Sequence, residues 1–472
     1  MNPAAPPTKT LLEQLEAQRN DARLYTQAAE AAREYVASVR QQRVFPAESA
    51  LKGLQHFQEP LPQTMTDALD VLQMLHRHGS PATVAQTGGR YFGFVCGGTT
   101  PAAMAASWLA SVWDQNPALY VLSPVVSTLE TVCEGWLKAL LGLPDDTVAG
   151  YVGGTSMATF CGLAAARHRL LERSGWDVNR QGLIGAPRLR VVLGGDAHGT
   201  VYKALALLGF GTDAVERVPA DAQGRLDPAQ LPPLDERTVL ILQAGNVNSG
   251  AFDPMIPTCQ VAREAGAWVH VDGAFGLWAA ASQKTAHLTL GIDMADSWSV
   301  DAHKTLNAPY DCGIVLCRHP EALAAALHLE GAYIQRSQHR DGMIFTPDMS
   351  RRARAVELWA TLKALGSPGV EALVDSLCER ARQFAQELGQ AGFRVLNEVV
   401  FNQVLVACDT PQMTRRTLEG IQGSGQCWCG GSVWDGEPVI RVSVCNWATG
   451  PEDVSRAVRA FVDASQAARA SL

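Results

Sequence analysis

Lys304 is the residue of this sequence best placed for covalent chemistry. It follows a short run of strand-forming residues, 297–300, with His303 directly before it and Asp301 three positions earlier. Burial disfavours an ammonium ion, so a partly dry pocket would lower the pKa of Lys304 and leave an amine that attacks carbonyl carbons. A lone lysine is more often a solvated loop residue, and its neighbours decide between the two interpretations.

A carboxylate stands in a comparable position upstream. Residues 265–269 have the small and apolar pattern of a buried strand. This places Asp272 near the carboxyl end of that strand, where open α/β sheets bind ligands. A buried carboxylate requires a partner, and a protonated pyridine nitrogen is one. We therefore predict pyridoxal phosphate as the cofactor, with Lys304 joined to its aldehyde and Asp272 holding its ring nitrogen.

A glycine turn at 152–154 leads into a predicted helix over 158–171. Backbone amides at such a helix start, together with the hydroxyls of Thr155 and Ser156, suit a phosphate group. The same residues also suit a plain helix cap. The lysine and the aspartate favour the phosphate site.

The sequence from about Tyr91 to Trp447 resembles the group II pyridoxal-phosphate-dependent amino-acid decarboxylases, which include aromatic-L-amino-acid and glutamate decarboxylases. Residues 270–276, the His303–Lys304 pair and residues 197–200 carry the resemblance. It implies an α/β fold of the fold-type I class, with a mostly parallel sheet in a large domain, a helical N-terminal arm and a small α/β C-terminal domain. It also implies a homodimer with the active site near the interface.

The resemblance assigns roles around the cofactor. His198 would stack on the cofactor ring, and Ala274 would contribute to the cofactor site. Asp301 would assist the phosphate anchor, and His303 is a candidate proton donor.

The substrate would meet a different set of residues. Phe94, Val95 and Cys96 fall at the positions that line the pocket in similar decarboxylases, although the same segment also suits a buried turn with core aromatics. Arg441 lies between apolar residues of a predicted strand, where it could bind a carboxylate in two-pronged fashion or serve a structural ion pair. An apolar pocket favours an aromatic or aliphatic amino acid, whereas Arg441 favours an acidic one.

Two departures from the family pattern affect the predicted reaction. Many relatives carry a proton-donating tyrosine in a mobile loop, whereas residues 337–350 contain none and place Gly342 or Phe345 there. Relatives also have a hydroxyl-bearing turn where this chain has 245–248, so that hydroxyl is absent or replaced by an amide. Decarboxylation to an amine and CO2 is the first hypothesis. Oxidative aldehyde-forming decarboxylation, C–C lyase and aminotransferase chemistry, and a catalytically silent scaffold, are the alternatives.

Composition limits the other possibilities. The chain has 472 residues, 47% of them hydrophobic, and a net charge of −8, which argues against nucleic-acid binding. It contains no apolar run long enough for a membrane span and no recognisable signal peptide. The 11 cysteines are scattered, and Cys427 and Cys429 are too close for usual zinc spacing. We expect free thiols, no metal and a cytoplasmic location.

Strands must alternate with helices to position these groups, because each candidate residue follows a predicted strand. The alternation predicts a large cofactor-binding domain at 91–366 and a small C-terminal domain at 367–472. Residues 1–90 would form the helical arm, which packs on a second subunit or on its own domain.

Overall fold

Two β-sheets, one large and one small, organise the chain. The computed structural model describes residues 10–327 and 338–470. Across these two ranges, no helix is both long and apolar enough to span a bilayer.

The N-terminal part is helical, as its alanine- and glutamate-rich sequence predicts. Thr10 caps the first helix, since its hydroxyl accepts the N–H of Glu13 at 3.2 Å and the Glu13 carboxylate accepts the N–H of Thr10 at 2.8 Å. The first two helices contain no buried residue. The elements are α1 (Leu11–Arg19), α2 (Ala22–Ser38), α3 (Glu48–Gly53), α4 (Ala68–Met74) and the short strand β1 (Tyr91–Phe92).

The large sheet and its helices occupy the middle of the chain. Their elements are α5 (Pro101–Trp113), α6 (Pro124–Leu141), β2 (Val148–Val152), α7 (Thr155–Arg173), α8 (Val178–Gln181), β3 (Arg190–Gly194), α9 (Gly199–Leu207), β4 (Val215–Val218), β5 (Thr238–Gln243), α10 (Met255–Glu264), β6 (Trp268–Asp272), β7 (Ser297–Asp301), β8 (Gly313–Cys317) and α11 (Pro320–Leu327).

The strand order of the large sheet is β2-β8-β7-β6-β5-β3-β4. All neighbours run parallel except β8, which is antiparallel to both β2 and β7. This confirms the predicted mostly parallel sheet. Every residue of β5, β6 and β7 is buried, as expected for strands covered on both faces. The carboxyl ends of these three strands therefore lie side by side at one edge.

The small sheet is built mainly from the C-terminal part. Its elements are α12 (Ala355–Gln390), β9 (Arg394–Val395), β10 (Gln403–Ala407), α13 (Pro411–Ser424), β11 (Trp428–Trp434), β12 (Glu437–Ser443) and α14 (Pro451–Ala470). The strand order is β1-β11-β12-β10-β9, and β1 pairs in parallel with β11. Strand β11 contains Gly430 and Gly431, which weaken the strand pattern, and the sequence did not reveal it.

The domain boundaries at 90/91 and 366/367 stay predictions. Gly366 interrupts α12 with a φ of 59°, a conformation that favours glycine. Tyr91 and Phe92, which we assigned to the large domain, pair with the C-terminal sheet instead of the large one.

Candidate active site

All site residues predicted from the sequence line one cavity of about 440 Å³. It opens at the carboxyl ends of β5, β6 and β7, beside the start of α7, and its size is typical of small-molecule sites. The nominated residues in its lining are Phe94, Val95, Cys96, Thr155, Ser156, His198, Asp272, Ala274, Asp301, His303, Lys304 and Arg441. The cavity is also lined by residues that were not predicted as site residues, namely Thr200, Gln243, Val247, Phe275 and Tyr310.

Lys304 is held by a carboxylate one turn back along the chain. Its Nζ lies 3.0 Å from Oδ2 of Asp301, whose side chain is 3% exposed. Burial opposes the charge of Lys304, but the ion pair with Asp301 raises its pKa above the ordinary value. The expected low pKa of Lys304 is therefore wrong for this arrangement, because the sequence did not reveal how close the two charges lie.

Asp301 also fixes the start of α7. Its Oδ1 accepts the backbone N–H of Thr155 at 2.7 Å, and its own carbonyl accepts the indole N–H of the buried Trp278 at 3.0 Å. An ionised carboxylate has no proton to donate to a phosphate. The contacts of Asp301 thus go to Lys304 and the helix start, and its share in phosphate binding stays a prediction.

The hydroxyls at the start of α7 suit an anion. Thr155 Oγ1 is buried and has no hydrogen-bond partner among the described residues, and Ser156 beside it is exposed in the cavity. Gly313 passes so close that a Cβ there would lie 2.3 Å from the Cα of Gly154. A buried hydroxyl without a partner at a helix start fits a phosphate group.

Asp272 is a buried carboxylate with few partners. Its Oδ1 accepts the N–H of Ala274 at 3.2 Å. Burial raises the pKa of Asp272, against the opposing influence of His198 and Lys304. A bound cation would compensate this buried charge, as the protonated ring nitrogen of pyridoxal phosphate would.

Burial disfavours the protonated form of both cavity histidines, and hydrogen bonds orient their rings. Burial lowers the pKa of His198, whose Nδ1 lies 2.7 Å from the Thr200 hydroxyl. Burial likewise lowers the pKa of His303, whose Nδ1 accepts the N–H of Cys312 at 3.1 Å. The Nε2 of His303 lies 3.6 Å from Asp301. A neutral imidazole keeps one N–H, and that of His303 is at Nε2 when its Nδ1 accepts from Cys312.

The glycine-broken segment brings strained backbone to the cavity. Phe94 and Val95 have φ values of 57° and 106°. Such a conformation is unusual for a β-branched residue and tends to occur at functional sites. Val95 is buried, Cys96 is half-buried, and Phe94 stacks on Trp428 at 5.7 Å.

Arg441 reaches the cavity from β12 of the small sheet. Its one described contact is a long one, 3.5 Å from Nη2 to the Phe94 carbonyl. Its Nε is buried without a hydrogen-bond partner among the described residues, and burial lowers the pKa of Arg441. No carboxylate among the described residues pairs with Arg441, so the described contacts do not support the predicted structural ion pair.

The turn at 245–248 presents an apolar side chain. The Oδ1 of Asn246 accepts the N–H of Asn248 and of Ser249, at 2.9 and 3.3 Å. The Oδ1 of Asn248 accepts the Ser432 hydroxyl at 2.7 Å. Val247 lines the cavity instead. Of the two predicted possibilities, the hydroxyl is absent and no amide from this turn replaces it.

The predicted loop packs away from the cavity where it is described. Residues 338–350 contain only a short 3₁₀ segment, Gly342–Phe345, and residues 328–337 lie outside the described part. The guanidinium of Arg340 lies over the Phe345 ring at 5.2 Å. Gly342 and Phe345, which occupy the region where the family pattern has its tyrosine, are not among the cavity residues of this chain.

Known proteins resemble this chain over most of its length. Residues 52–407 match the pyridoxal-dependent decarboxylase conserved domain. The chain is 28% identical over 346 residues to an aromatic-L-amino-acid decarboxylase of Bacillus atrophaeus, covering 71% of this chain and 70% of that protein. It is 29% identical over 334 residues to cysteine sulfinic acid decarboxylase of Mus musculus, covering 67% and 66%.

Solved structures share the fold. The Oryza sativa TDC structure with PLP and tryptamine has a TM-score of 0.87 at 22% identity and covers 98% of this chain and 99% of its own. The Rhodiola rosea 4-hydroxyphenylacetaldehyde synthase has a TM-score of 0.82 at 20% identity and covers 95% and 99%.

Proposed function

The chain belongs to the pyridoxal-dependent decarboxylase family, and on that premise we propose that it converts an L-amino acid into the corresponding amine and CO2. As a member, it is a carboxy-lyase that uses pyridoxal 5'-phosphate. The observation that carries the proposal is the meeting of Lys304, Asp272 and Arg441 in one cavity.

Each residue of the cavity has a proposed task. Lys304 holds the cofactor through its amine, Asp272 keeps the ring nitrogen protonated, and His198 covers the ring. Thr155 and Ser156 anchor the phosphate. When bound, pyridoxal phosphate withdraws electrons from the α-carbon of the substrate. Which bond at that carbon breaks depends on how the protein orients the amino acid.

Arg441 orients the substrate by binding a carboxylate. A half-buried guanidinium whose Nε is buried, and which has no anionic partner among the described residues, is costly, and a substrate carboxylate would offset that cost. If Arg441 takes the α-carboxylate, the substrate side chain meets Phe94 and Val95, which favours an aromatic or aliphatic amino acid. If it takes a side-chain carboxylate, the substrate is acidic.

A panel of amino acids tests the proposal. Purified protein with added cofactor is incubated with aromatic, aliphatic and acidic L-amino acids, and CO2 and amine are quantified. Equal amounts of amine and CO2 from one class support it. Turnover of none of the three classes, with the cofactor bound, would refute it.

Oxidative aldehyde-forming decarboxylation is the second candidate. Val247 and the tyrosine-free stretch at 337–350 favour it, because they remove hydroxyl groups that the family pattern would supply. The same incubation separates the two, since an aldehyde with consumption of O2 replaces the amine.

We further propose a cytoplasmic homodimer. Its support is an exposed apolar surface that includes Trp108, Leu109 and Val112 of α5, at 48%, 52% and 76% exposure. All 11 cysteines are free, as in a reducing compartment. Analytical ultracentrifugation at micromolar concentration tests the dimer, and a monomer there contradicts it.

A further inference from the structure

A buried asparagine follows the cofactor lysine but does not line the cavity. Asn307 comes three residues after Lys304, is fully buried and is not one of the cavity residues. Its φ of 58° is left-handed, a conformation that asparagine adopts more readily than most residues because its short amide can bond to nearby backbone. The sequence did not single it out, and its role follows from the contacts of its amide.

The amide nitrogen of Asn307 bonds to two separate segments. Its Nδ2 donates to the carbonyl of Thr305 at 2.8 Å and to that of Cys445 at 2.9 Å, and the carbonyl of Lys304 is 3.3 Å away. Cys445 comes four residues after Arg441, just past the end of β12. The amide nitrogen therefore joins the lysine loop to the strand that carries Arg441.

The amide oxygen of Asn307 reaches a third segment. Its Oδ1 accepts the N–H of Gly98 at 2.6 Å and the N–H of Trp447 at 2.9 Å. The backbone carbonyl of Asn307 accepts the N–H of Thr100 at 3.0 Å. Gly98 and Thr100 follow residues 94–96, which line the cavity. The same residue thus also holds this part of the cavity wall.

The lysine loop and this part of the wall are in direct backbone contact as well. Gly97 donates its N–H to the carbonyl of His303 at 3.3 Å. A Cβ on Gly97 would collide with the carbonyl oxygens of His303 and Lys304, so only glycine permits the approach. Because Gly97 has no side chain to fix this crossing, the amide of Asn307 supplies side-chain bonds that do.

The bonds of Asn307 join the two halves of the site. Lys304 and the start of α7, which hold the cofactor in the proposed function, belong to the large sheet and its helices. Phe94 and Arg441, which meet the substrate, lie outside that sheet, and Arg441 is on β12 of the small one. A buried amide with both its donor and its acceptor engaged is costly to disturb, so it keeps the two halves at one spacing.

We propose that Asn307 is a positioning residue that sets the spacing between the cofactor and the groups that bind the substrate, an inference that rests on the proposed decarboxylase function. Without the amide, the cofactor still finds its binding groups in place. The amino acid must meet the cofactor and Arg441 at once, so a changed spacing weakens its binding and its alignment. Misplacement by about 1 Å is enough to lower a rate on the order of 10²-fold.

The test is Asn307→Asp. Aspartate has the size of asparagine and tolerates a left-handed backbone. It keeps the oxygen that accepts from Gly98 and Trp447, and it loses the N–H donors to the carbonyls of Thr305 and Cys445. The substitution therefore breaks the bonds between the lysine loop and the strand of Arg441 while leaving the others possible.

Asn397→Asp is the matched control. Asn397 is also buried, and its Nδ2 donates to the carbonyls of Ser249 and Gln403 at 2.8 and 3.0 Å. Its Oδ1 accepts the N–H of Leu405 at 2.8 Å. The control thus loses the same kind of bond between distant segments, without contact with the lysine loop or with residues 94–98.

Two probes separate cofactor binding from substrate binding. Pyridoxamine 5'-phosphate occupies the cofactor site alone, whereas N-phosphopyridoxyl-L-phenylalanine and N-phosphopyridoxyl-L-glutamate also carry an amino acid. Each is titrated into the full-length, cofactor-free chain and followed by tryptophan fluorescence. We expect Asn307→Asp to bind pyridoxamine phosphate within about threefold of wild type and to bind the tighter conjugate about 10–150-fold more weakly, as for a lost charged hydrogen bond. Asn397→Asp changes neither affinity by more than about threefold.

Kinetics of the loaded enzyme give a second measure. With the amino acid that the wild type converts, Asn307→Asp is expected to lower kcat/KM on the order of 10²-fold, and Asn397→Asp to leave it within about threefold. A merely structural role would affect both probes alike. Equal weakening of pyridoxamine phosphate and conjugate, or wild-type affinity for both, overturns the proposal.

A second variant covers the case in which Asn307→Asp does not fold, which urea denaturation shows before titration. Asn307→Gly retains the left-handed backbone and removes the whole amide. It is expected to weaken the conjugate at least as much as Asn307→Asp, with pyridoxamine phosphate again within about threefold of wild type. Equal weakening of both probes in this variant also overturns the proposal.

Failure of this inference differs from failure of the proposed function. If the conjugate binds the wild type more tightly than pyridoxamine phosphate and binds Asn307→Asp equally tightly, only the role of Asn307 falls. If the loaded wild type releases no CO2 from any amino acid while Asn307→Asp still weakens the conjugate selectively, the decarboxylase proposal falls and the positioning role stands. If the wild type gains no affinity from the amino acid of either conjugate, the substrate site and the role of Asn307 fall together.

Discussion

The side chain of Arg340 is 9% exposed and Arg441 is half-buried, and the two guanidinium groups differ in their partners. The guanidinium of Arg340 contacts Glu130 at 3.1 Å and Glu134 at 2.6 Å, and it also donates to the carbonyl of Ala149. Arg441 contacts the Phe94 carbonyl at 3.5 Å and pairs with no described carboxylate. Correspondingly, burial opposes the charge of both, but Glu130 and Glu134 raise the pKa of Arg340, whereas the pKa of Arg441 is lowered.

The different partners of the two arginines indicate a structural role for Arg340 and a substrate-binding role for Arg441. A buried charge that finds its counter-charge within the chain contributes to the fold, because removing one partner strands the other. A buried charge without such a partner costs stability until a ligand supplies one. The Glu130 network holds residues 338–354 against α6, since Arg351 also pairs with Glu130 at 2.7 Å. Arg441 instead lines the cavity with no described carboxylate beside it, which suits binding of a substrate carboxylate.

Removing Arg340 gives the largest expected effect. Arg340→Met leaves Glu134 without its guanidinium partner and leaves the buried Glu130 with Arg351 alone, so we expect the free energy of unfolding to fall by about 3–5 kcal/mol. Turnover per folded molecule stays within about twofold of wild type. Urea denaturation measures the first and active-site titration the second. Arg169→Met, which breaks partly exposed pairs with Glu172 and Glu321, is the matched control and costs at most about 1 kcal/mol.

If Arg340→Met leaves the free energy of unfolding unchanged and reduces turnover, the structural role of Arg340 is contradicted. Arg340 would then act in catalysis, and its contacts with Glu130 and Glu134 would not stabilise the fold.

Removing Arg441 gives the second-largest expected effect, which is on turnover and not on stability. Arg441→Met is expected to raise KM or lower kcat/KM by about 10–150-fold, the equivalent of the 1.5–3 kcal/mol that a charged hydrogen bond contributes. Stability is unchanged or slightly higher, because a half-buried charge without a described carboxylate partner is lost. Steady-state kinetics and urea denaturation on the same preparation check both parts. A variant with wild-type kcat/KM and reduced stability contradicts the substrate role.

The smallest expected effect concerns His270, a third buried group, whose neutral form contributes to the pH dependence of stability. It is fully buried in β6, its Nδ1 lies 2.8 Å from the Ser297 hydroxyl, and burial lowers its pKa to about 3. In the unfolded chain His270 is protonated below about pH 6.5, whereas in the folded chain it stays neutral down to about pH 3. Stability is therefore present above pH 6.5 and is lost as pH falls below it.

Lowering the pH from 7.5 to 5.5 is expected to remove about 1 kcal/mol through His270. Urea denaturation at the two pH values, in wild type and His270→Gln, isolates this contribution from that of the other histidines. An identical pH dependence in both proteins would show that His270 has the same pKa in the folded and the unfolded chain, which contradicts the prediction.

Local sequence was sufficient for the centre of the site. Asp272 ends a strand of buried residues, and Lys304 and Thr155 each follow a largely buried strand within three residues. Strands that run in the same direction bring their carboxyl ends to one edge of the sheet, so these residues meet in the site. The mostly parallel sheet followed from the same alternation of strands and helices.

Properties that depend on distant segments were not predictable. The pKa of Lys304 is set by how the Asp301 carboxylate folds back onto it, and the apolar face at Val247 depends on which way Asn246 turns. Tyr310 enters the cavity from a connection without a recognisable motif. Strand β11 is recognisable only through its pairing with β12 and β1.

The most direct test of the account is to find which amine carries the cofactor. The protein is loaded with pyridoxal phosphate and reduced with borohydride, and the labelled peptide is identified by mass spectrometry. The account predicts a single label on Lys304, and no label in Lys304→Ala despite retained folding. A label on Lys203 or another lysine, or the same labelling in Lys304→Ala, contradicts it.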